Sequence, residues 1–125
     1  MAGRLGSRAA GRGPKAPPDV KRGTVIWVNL SDTHPPEMDK VRPAVVLSNA
    51  VLNTRLGTVA VVPLSTQPGE IWPLRVKVTA GRKASYAVIP GIRQVAKARL
   101  LGTIGALPPA ELRQIEKALA EYLSD

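Results

Sequence analysis

The sequence predicts a mainly β domain with one helix (α+β), a small, strongly bent barrel of about five to seven strands with a C-terminal amphipathic helix. Three observations carry that expectation. The chain holds 11 glycines and 12 prolines in 125 residues, a share that favours many turns over long helices. Short runs rich in valine and isoleucine recur along its length with turn residues between them. The apolar spacing takes up the helical period only near the C-terminus, in "PPAELRQIEKALAEYLSD".

"GTVIWVNL" (23–30) is β-branched and aromatic, which suits a strand, and "SDTHPPEMDK" (31–40) has turn chemistry throughout and reads as an exposed loop. "PAVVLS" (43–48) is continuously apolar, as expected of a strand buried on both faces. In "NAVLNTRLG" (49–57) Asn49 can cap a helical turn that Gly57 ends. "TVAVVPL" (58–64) is another buried strand, whose Pro63 calls for an edge or the strand's end. "STQPGEIWP" (65–73) is a second polar loop. "LRVKV" alternates, with Leu74, Val76 and Val78 facing the core and Arg75 and Lys77 forming a basic stripe. After a turn at "GRK" (81–83), "SYAVIP" (85–90) is a strand that continues past Gly91 into "IRQV" (92–95) through a bulge. "LLGTIGAL" (100–107) is the last strand. The helix is expected over about 109–123, where Leu112, Ile115, Leu119 and Tyr122 share a face, proline stands at the entry and Glu111 favours the helix dipole. Residues 1–20 are small, basic and broken by Gly and Pro, and are expected to form a disordered arm ahead of one folded domain, 21–125.

Composition narrows the function. With no cysteine and a single histidine, the chain has no disulfide framework and little from which to build a transition-metal site. No apolar run approaches the roughly 20 residues that span a bilayer, and the basic N-terminus lacks the apolar segment of a secretory signal. The net charge is +9. Residues 23–99 alone hold ten basic against four acidic side chains, so the excess lies on the middle of the chain. A cationic body points to a polyanionic partner, nucleic acid before an anionic membrane.

The residues available for catalysis are few. Asp32, Glu37 and Asp39 in one loop and Glu70 in the other read as a solvated surface rather than a metal site, and His34 as an exposed loop residue. What remains is cationic and hydroxylic. Arg42 stands between a loop and a strand, and Ser65 and Thr66 follow "VAVVPL". If those two strands are neighbours running the same way, a guanidinium and hydroxyls converge at one end of the barrel, a cradle for a phosphodiester. RNA brings its own nucleophile in the 2′-OH, so positioning, charge stabilisation and proton transfer suffice. Glu37, or Ser65 as a relay, could serve as base. An ion pair of Arg42 with Glu37 or Asp39 is the equally weighted alternative. Trp72 is the expected stacking surface and Trp27 a core or dimer-packing residue. Arg75, Lys77, Arg82, Lys83 and Arg93 are candidates to track a nucleic-acid backbone. Asn49 and Asn53 are expected to cap and turn rather than to read bases.

From Lys21 to Gln67 the pattern resembles the MazF/PemK (Kid) toxins of bacterial toxin–antitoxin pairs. "KRGTVIWVNL" is similar to the family's opening strand, "EMDKVRPAVVLSN" to its Arg-Pro motif and "VAVVPLSTQ" to the strand ending in Pro-x-Thr. "IRQVAKARLLGTIGAL" and the helix after it extend the resemblance to about residue 123. The resemblance implies an SH3-like, PemK-like barrel in a homodimer that acts in the bacterial cytoplasm without metal or cofactor. It implies a sequence-specific endoribonuclease, an mRNA interferase, that cuts single-stranded mRNA to 2′,3′-cyclic phosphate and 5′-hydroxyl ends. A cognate antitoxin, whose disordered tail blocks the site, is implied as partner. Carried over by motif, the catalytic arginine is Arg42, the catalytic threonine becomes Ser65 and the loop glutamate is Glu37. Thr66 and Gln67 fall beside them on the substrate side. The sequence departs from the family pattern at Thr24, Pro35, Pro90-Gly91 and Ala96, most of which touch the substrate groove. A noncatalytic nucleic-acid-binding or protein-targeting barrel is the alternative. The gyrase-poison form of it is disfavoured because the C-terminal helix, ending "AEYLSD", has no tryptophan.

Overall fold

A computed structural model describes residues 20–31 and 40–125. Seven strands form one curled sheet: β1 (Thr24–Asn29), β2 (Val41–Val46), β3 (Thr58–Ser65), β4 (Arg75–Ala80), β5 (Lys83–Val88), β6 (Arg93–Ala96) and β7 (Leu100–Ala106). A short helix α1 (Ala50–Arg55) joins β2 to β3, and α2 (Pro109–Leu123) ends the chain. The order across the sheet is β4-β5-β3-β2-β1-β7, with β6 paired to β3. Every strand pairing is antiparallel. The expected barrel with a C-terminal helix is the one found.

The curl separates two apolar clusters. Val25, Val45, Val62, Leu64, Val76, Val78 and Ala87 pack under Ile115 and Ala118 of α2. Ile26, Val28, Ala44, Val46, Val59, Val61, Val95 and Leu100 fill the other face, together with Val20. Val20 falls at the last position of the expected arm and is buried; the arm's other residues, 1–19, lie outside the described residues. Consecutive residues of β2, Ala44 to Val46, are buried on alternate sides, which explains the unbroken apolar run. Truncating Ile115, fully buried beneath the helix, should cost about 2–5 kcal/mol.

Four local expectations need correction. Strand β2 starts at Val41, so Arg42 lies within the ladder rather than ahead of it. Leu74 is exposed and precedes β4; the alternation starts at Arg75. Tyr122, in the last turn of α2, is also exposed. The chain does not bulge past Gly91. A 3-10 turn over Ile89–Gly91 separates β5 from β6, and both strands pair with the same edge of β3.

Pro63 explains that turn. It sits inside a central strand, between the stretch of β3 paired to β6 (Thr58 to Val61) and the stretch paired to β5 (Leu64 and Ser65). Its missing N–H falls in the gap between the two partners, where no ladder bond is lost. Gly91 lies against its ring, and a Cβ there would come within 2.8 Å of the Pro63 Cγ. Gly91, the second residue of the Pro-Gly that departs from the family pattern, thus packs against Pro63 where a side chain has no room.

The edge strand β4 is closed to further pairing. Glu70 accepts from the Lys77 N–H (3.2 Å), Glu111 from the Thr79 N–H (2.8 Å), and Ile71 bridges Arg75. Glu111, expected to complement the helix dipole, therefore also ties α2 to the sheet.

Candidate functional site

Arg42 and Ser65 are brought together by strands that run in the direction opposite to the one expected from sequence. Arg42 is the second residue of β2 and Ser65 the last of β3, so parallel neighbours would have separated them. The strands are antiparallel, with Ala44 opposite Pro63 and Val45 opposite Val62. Extending that ladder by two residues sets Arg42 opposite Ser65, at a cross-strand Cβ separation of about 4.5–5.5 Å. Alternation puts both on one side of the sheet, while Pro43 and Leu64 take the other.

The Ser65 hydroxyl accepts a hydrogen bond from the Gln67 N–H at 3.1 Å. This turn fixes the oxygen while leaving its proton free to donate. No described residue forms an ion pair or side-chain hydrogen bond with Arg42. Glu37 and Asp39, as well as Asp32 and His34, lie outside the described residues. Among the described residues no group of His, Asp or Glu is arranged to hold a metal ion.

A cleft of about 420 Å³ opens on the Pro43 and Leu64 side of the sheet; Arg42 lines it, and Ser65 does not. Arg42 and Pro43 line it from β2, Thr66 from the end of β3, and Arg82 and Lys83 from the β4–β5 hairpin. Gly81, with φ of 64°, makes that hairpin turn, and its backbone brings the two cations over the cleft. Trp27 lines it too. Of the two expected places for Trp27, the core of this chain is not the one found: β1 pairs it with Pro43 at the mouth of the helix-side cluster, and it is 42% exposed. Trp72, the expected stacking surface, lies in the β3–β4 loop, exposed and away from the cleft lining.

Of the expected substrate-side residues, Thr66, Arg82 and Lys83 join Arg42 at the cleft. Arg93 does not; it faces Val61, four residues back along β3 from Ser65. Arg75 is committed elsewhere: its Nε donates to the Gly69 carbonyl (2.8 Å) and its Nη2 to the Gln67 carbonyl (2.5 Å), stapling the loop that follows Ser65. Arg99 likewise donates to the carbonyls of Asn29 (3.2 Å) and Ser31, anchoring the chain where it leaves β1 towards residues 32–39. Asn49 caps α1 as expected, accepting from the Val51 and Leu52 N–H groups, and buried Asn53 ties that helix to Ser48 and Val20.

Tyr86 was not among the residues expected at the site. It is paired with Ser65 across β3–β5 and with Lys77 across β5–β4. A row Arg42, Ser65, Tyr86, Lys77 therefore crosses four adjacent strands on one side of the sheet. The signal available in sequence was faint: Tyr86 is the polar-faced member of "SYAVIP", and only the strand order reveals its neighbour.

Fold and site together define a small barrel with cations, hydroxyls and an aromatic ring gathered at one end of its sheet. Similarity to known proteins narrows the class further. The model of the PemK-like, MazF-like toxins of type II toxin–antitoxin systems matches residues 21–123. Endoribonuclease MazF9 of Mycobacterium tuberculosis is 34% identical over 113 residues, covering 83% of this chain and 96% of that protein. The endoribonuclease toxin MazF of Escherichia coli K12 is 32% identical over 100 residues, covering 79% and 87%. A mycobacterial endoribonuclease solved in complex with its cognate antitoxin superposes with a TM-score of 0.70 at 26% identity, covering 83% of this chain and 94% of that one. The chain belongs to the PemK/MazF toxin family.

Proposed function

We propose that this protein is the toxin of a type II toxin–antitoxin pair and an endoribonuclease that cuts single-stranded mRNA at short sequence motifs in the bacterial cytoplasm, without a metal. The observation that carries the reading is the placement of Arg42 opposite Ser65, with Arg42 also lining a cleft together with Arg82, Lys83 and Trp27. The relatives named above are endoribonucleases by name, and the antitoxin complex of one of them supports a cognate antitoxin here.

In this mechanism the 2′-oxygen of the RNA attacks the adjacent phosphorus, and its proton passes to a base. The phosphorus–O5′ bond breaks, and the departing 5′-oxygen takes up a proton. The products are a 2′,3′-cyclic phosphate and a 5′-hydroxyl. Arg42 stabilises the negative charge that builds on the non-bridging oxygens, a task suited to a permanently charged planar donor. Ser65, held by Gln67, donates its hydroxyl proton towards the same phosphate or relays one. Glu37 is proposed as the base. Thr66, Arg82 and Lys83 hold the neighbouring phosphates. The protein works as a homodimer, and the antitoxin's tail competes for the cleft.

The test is to incubate the purified protein with a long RNA in EDTA and map the new ends. Cleavage at a recurring short motif with cyclic-phosphate ends, abolished in Arg42→Ala, is expected. An Arg42→Ala protein that cuts as fast as the unaltered one would refute the mechanism. RNA left intact by the unaltered protein, yet still bound, would favour a noncatalytic barrel.

A further inference from the structure

We propose that Tyr86, braced by Arg75, is a stacking platform for a nucleobase flanking the phosphate held at Arg42. The identification of the ligand as single-stranded RNA rests on the reading above; the platform itself rests on the sheet. Tyr86 is directly opposite Ser65 in the β3–β5 ladder. From Arg42 to Tyr86 is two strand spacings, about 9–10 Å, the reach of a residue adjoining the phosphate rather than of the phosphate itself. The ring is half-buried, and no described residue hydrogen-bonds its phenol.

Arg75 makes the ring a built surface. Its guanidinium carbon lies 5.5 Å from the Tyr86 centroid, in cation–π range. Its Nε and Nη2 donors are already taken by the Gly69 and Gln67 carbonyls. A guanidinium fixed by in-plane bonds offers its plane rather than those donors, and guanidinium planes and tyrosine rings are both surfaces on which unstacked bases lie. The same two bonds tie Gln67, whose N–H fixes the Ser65 oxygen, to the platform. Ring, guanidinium and hydroxyl are therefore held as one unit. Lys77, opposite Tyr86 on the far side, supplies a cation for the next phosphate. Arg75, expected from sequence to grip the RNA backbone, becomes the positioning residue of this subsite.

The experiment is equilibrium binding by fluorescence anisotropy, with two labelled probes that cannot be cut. One is a mixed-sequence single-stranded RNA methylated at every 2′-oxygen; the other is an abasic strand of the same length and charge. Tyr86→Leu keeps an apolar side chain in the strand but removes the aromatic face. It should weaken binding of the base-bearing probe by about 5- to 100-fold, the range of base–aromatic stacking, and leave the abasic probe bound as by the unaltered protein. Tyr86→Phe should restore the base-bearing probe to within about threefold. Equal binding of the base-bearing probe by Tyr86→Leu and the unaltered protein would overturn the proposal. So would a parallel loss on both probes, which is what structural damage produces, or failure of the unaltered protein to distinguish the two. None of these outcomes depends on cleavage, so a failed nuclease reading shows separately, as intact RNA in the EDTA digest.

Discussion

The arginines at the cleft and three arginines elsewhere on the barrel, Arg22, Arg75 and Arg99, have the same chemistry and opposite fates. Arg42 and Arg82 line the cleft with Lys83 and have no side-chain partner among the described residues. Arg22, Arg75 and Arg99 are spent on the fold: Arg22 on Glu116 and the Leu47 carbonyl, Arg75 on the β3–β4 loop, Arg99 on the exit of β1. The difference teaches that net charge overstates the binding surface. A guanidinium whose donors are satisfied by backbone carbonyls adds field but no grip, whereas one held at a strand end with open donors can meet a phosphate in its own plane.

The largest expected effect tests the first group. Arg42→Ala should lower kcat/KM for RNA cleavage by at least about 100-fold, the scale of losing one donor to a developing oxyanion, with an unchanged urea midpoint. A large fall in stability instead would move Arg42 into the second group. Arg99→Ala should do the reverse, costing about 2 kcal/mol in urea unfolding because the charged donor that ties the exit of β1 through two backbone carbonyls is lost. Next, Arg82→Ala or Lys83→Ala should reduce the slope of log affinity against log salt by about 0.7 for each phosphate that the missing cation had neutralised. An unchanged slope would remove that residue from the cleft's working set. Smallest of all, Glu116→Ala breaks the ion pair with Arg22, in which both side chains are more than a third exposed. It should shift stability by no more than about 0.5 kcal/mol, since water and salt screen such pairs.

Legibility in the sequence followed the range of the forces involved. Asn49 as a cap, the alternation after Arg75 and the 3.6-residue spacing of Leu112, Ile115 and Leu119 are local, and all appear in the structure. Arg42 and Ser65 stood out because the motifs around them are local too. Their meeting was expected for the wrong reason, since strand direction is set by loop closure and sheet order across many residues. Sequence left Trp27 between the core and a dimer contact because an aromatic residue in a strand is core wherever the sheet is covered, and coverage is a tertiary fact. Tyr86 was missed because a strand's alternation says which residues share a face but not which strand lies next to it.

By itself the sequence determined a basic, cysteine-free barrel with a terminal helix, an arginine at a strand start and a hydroxyl at a strand end. Turn chemistry, side-chain periodicity and charge are properties of neighbouring residues, so they can be read in order. Only the tertiary structure decided which cations are free and which are tied, that Trp27 opens onto the cleft, and that Tyr86 stands beside Ser65. Those depend on antiparallel register across the β2–β3–β5 strands, where one residue of slip would carry every side chain to the opposite face.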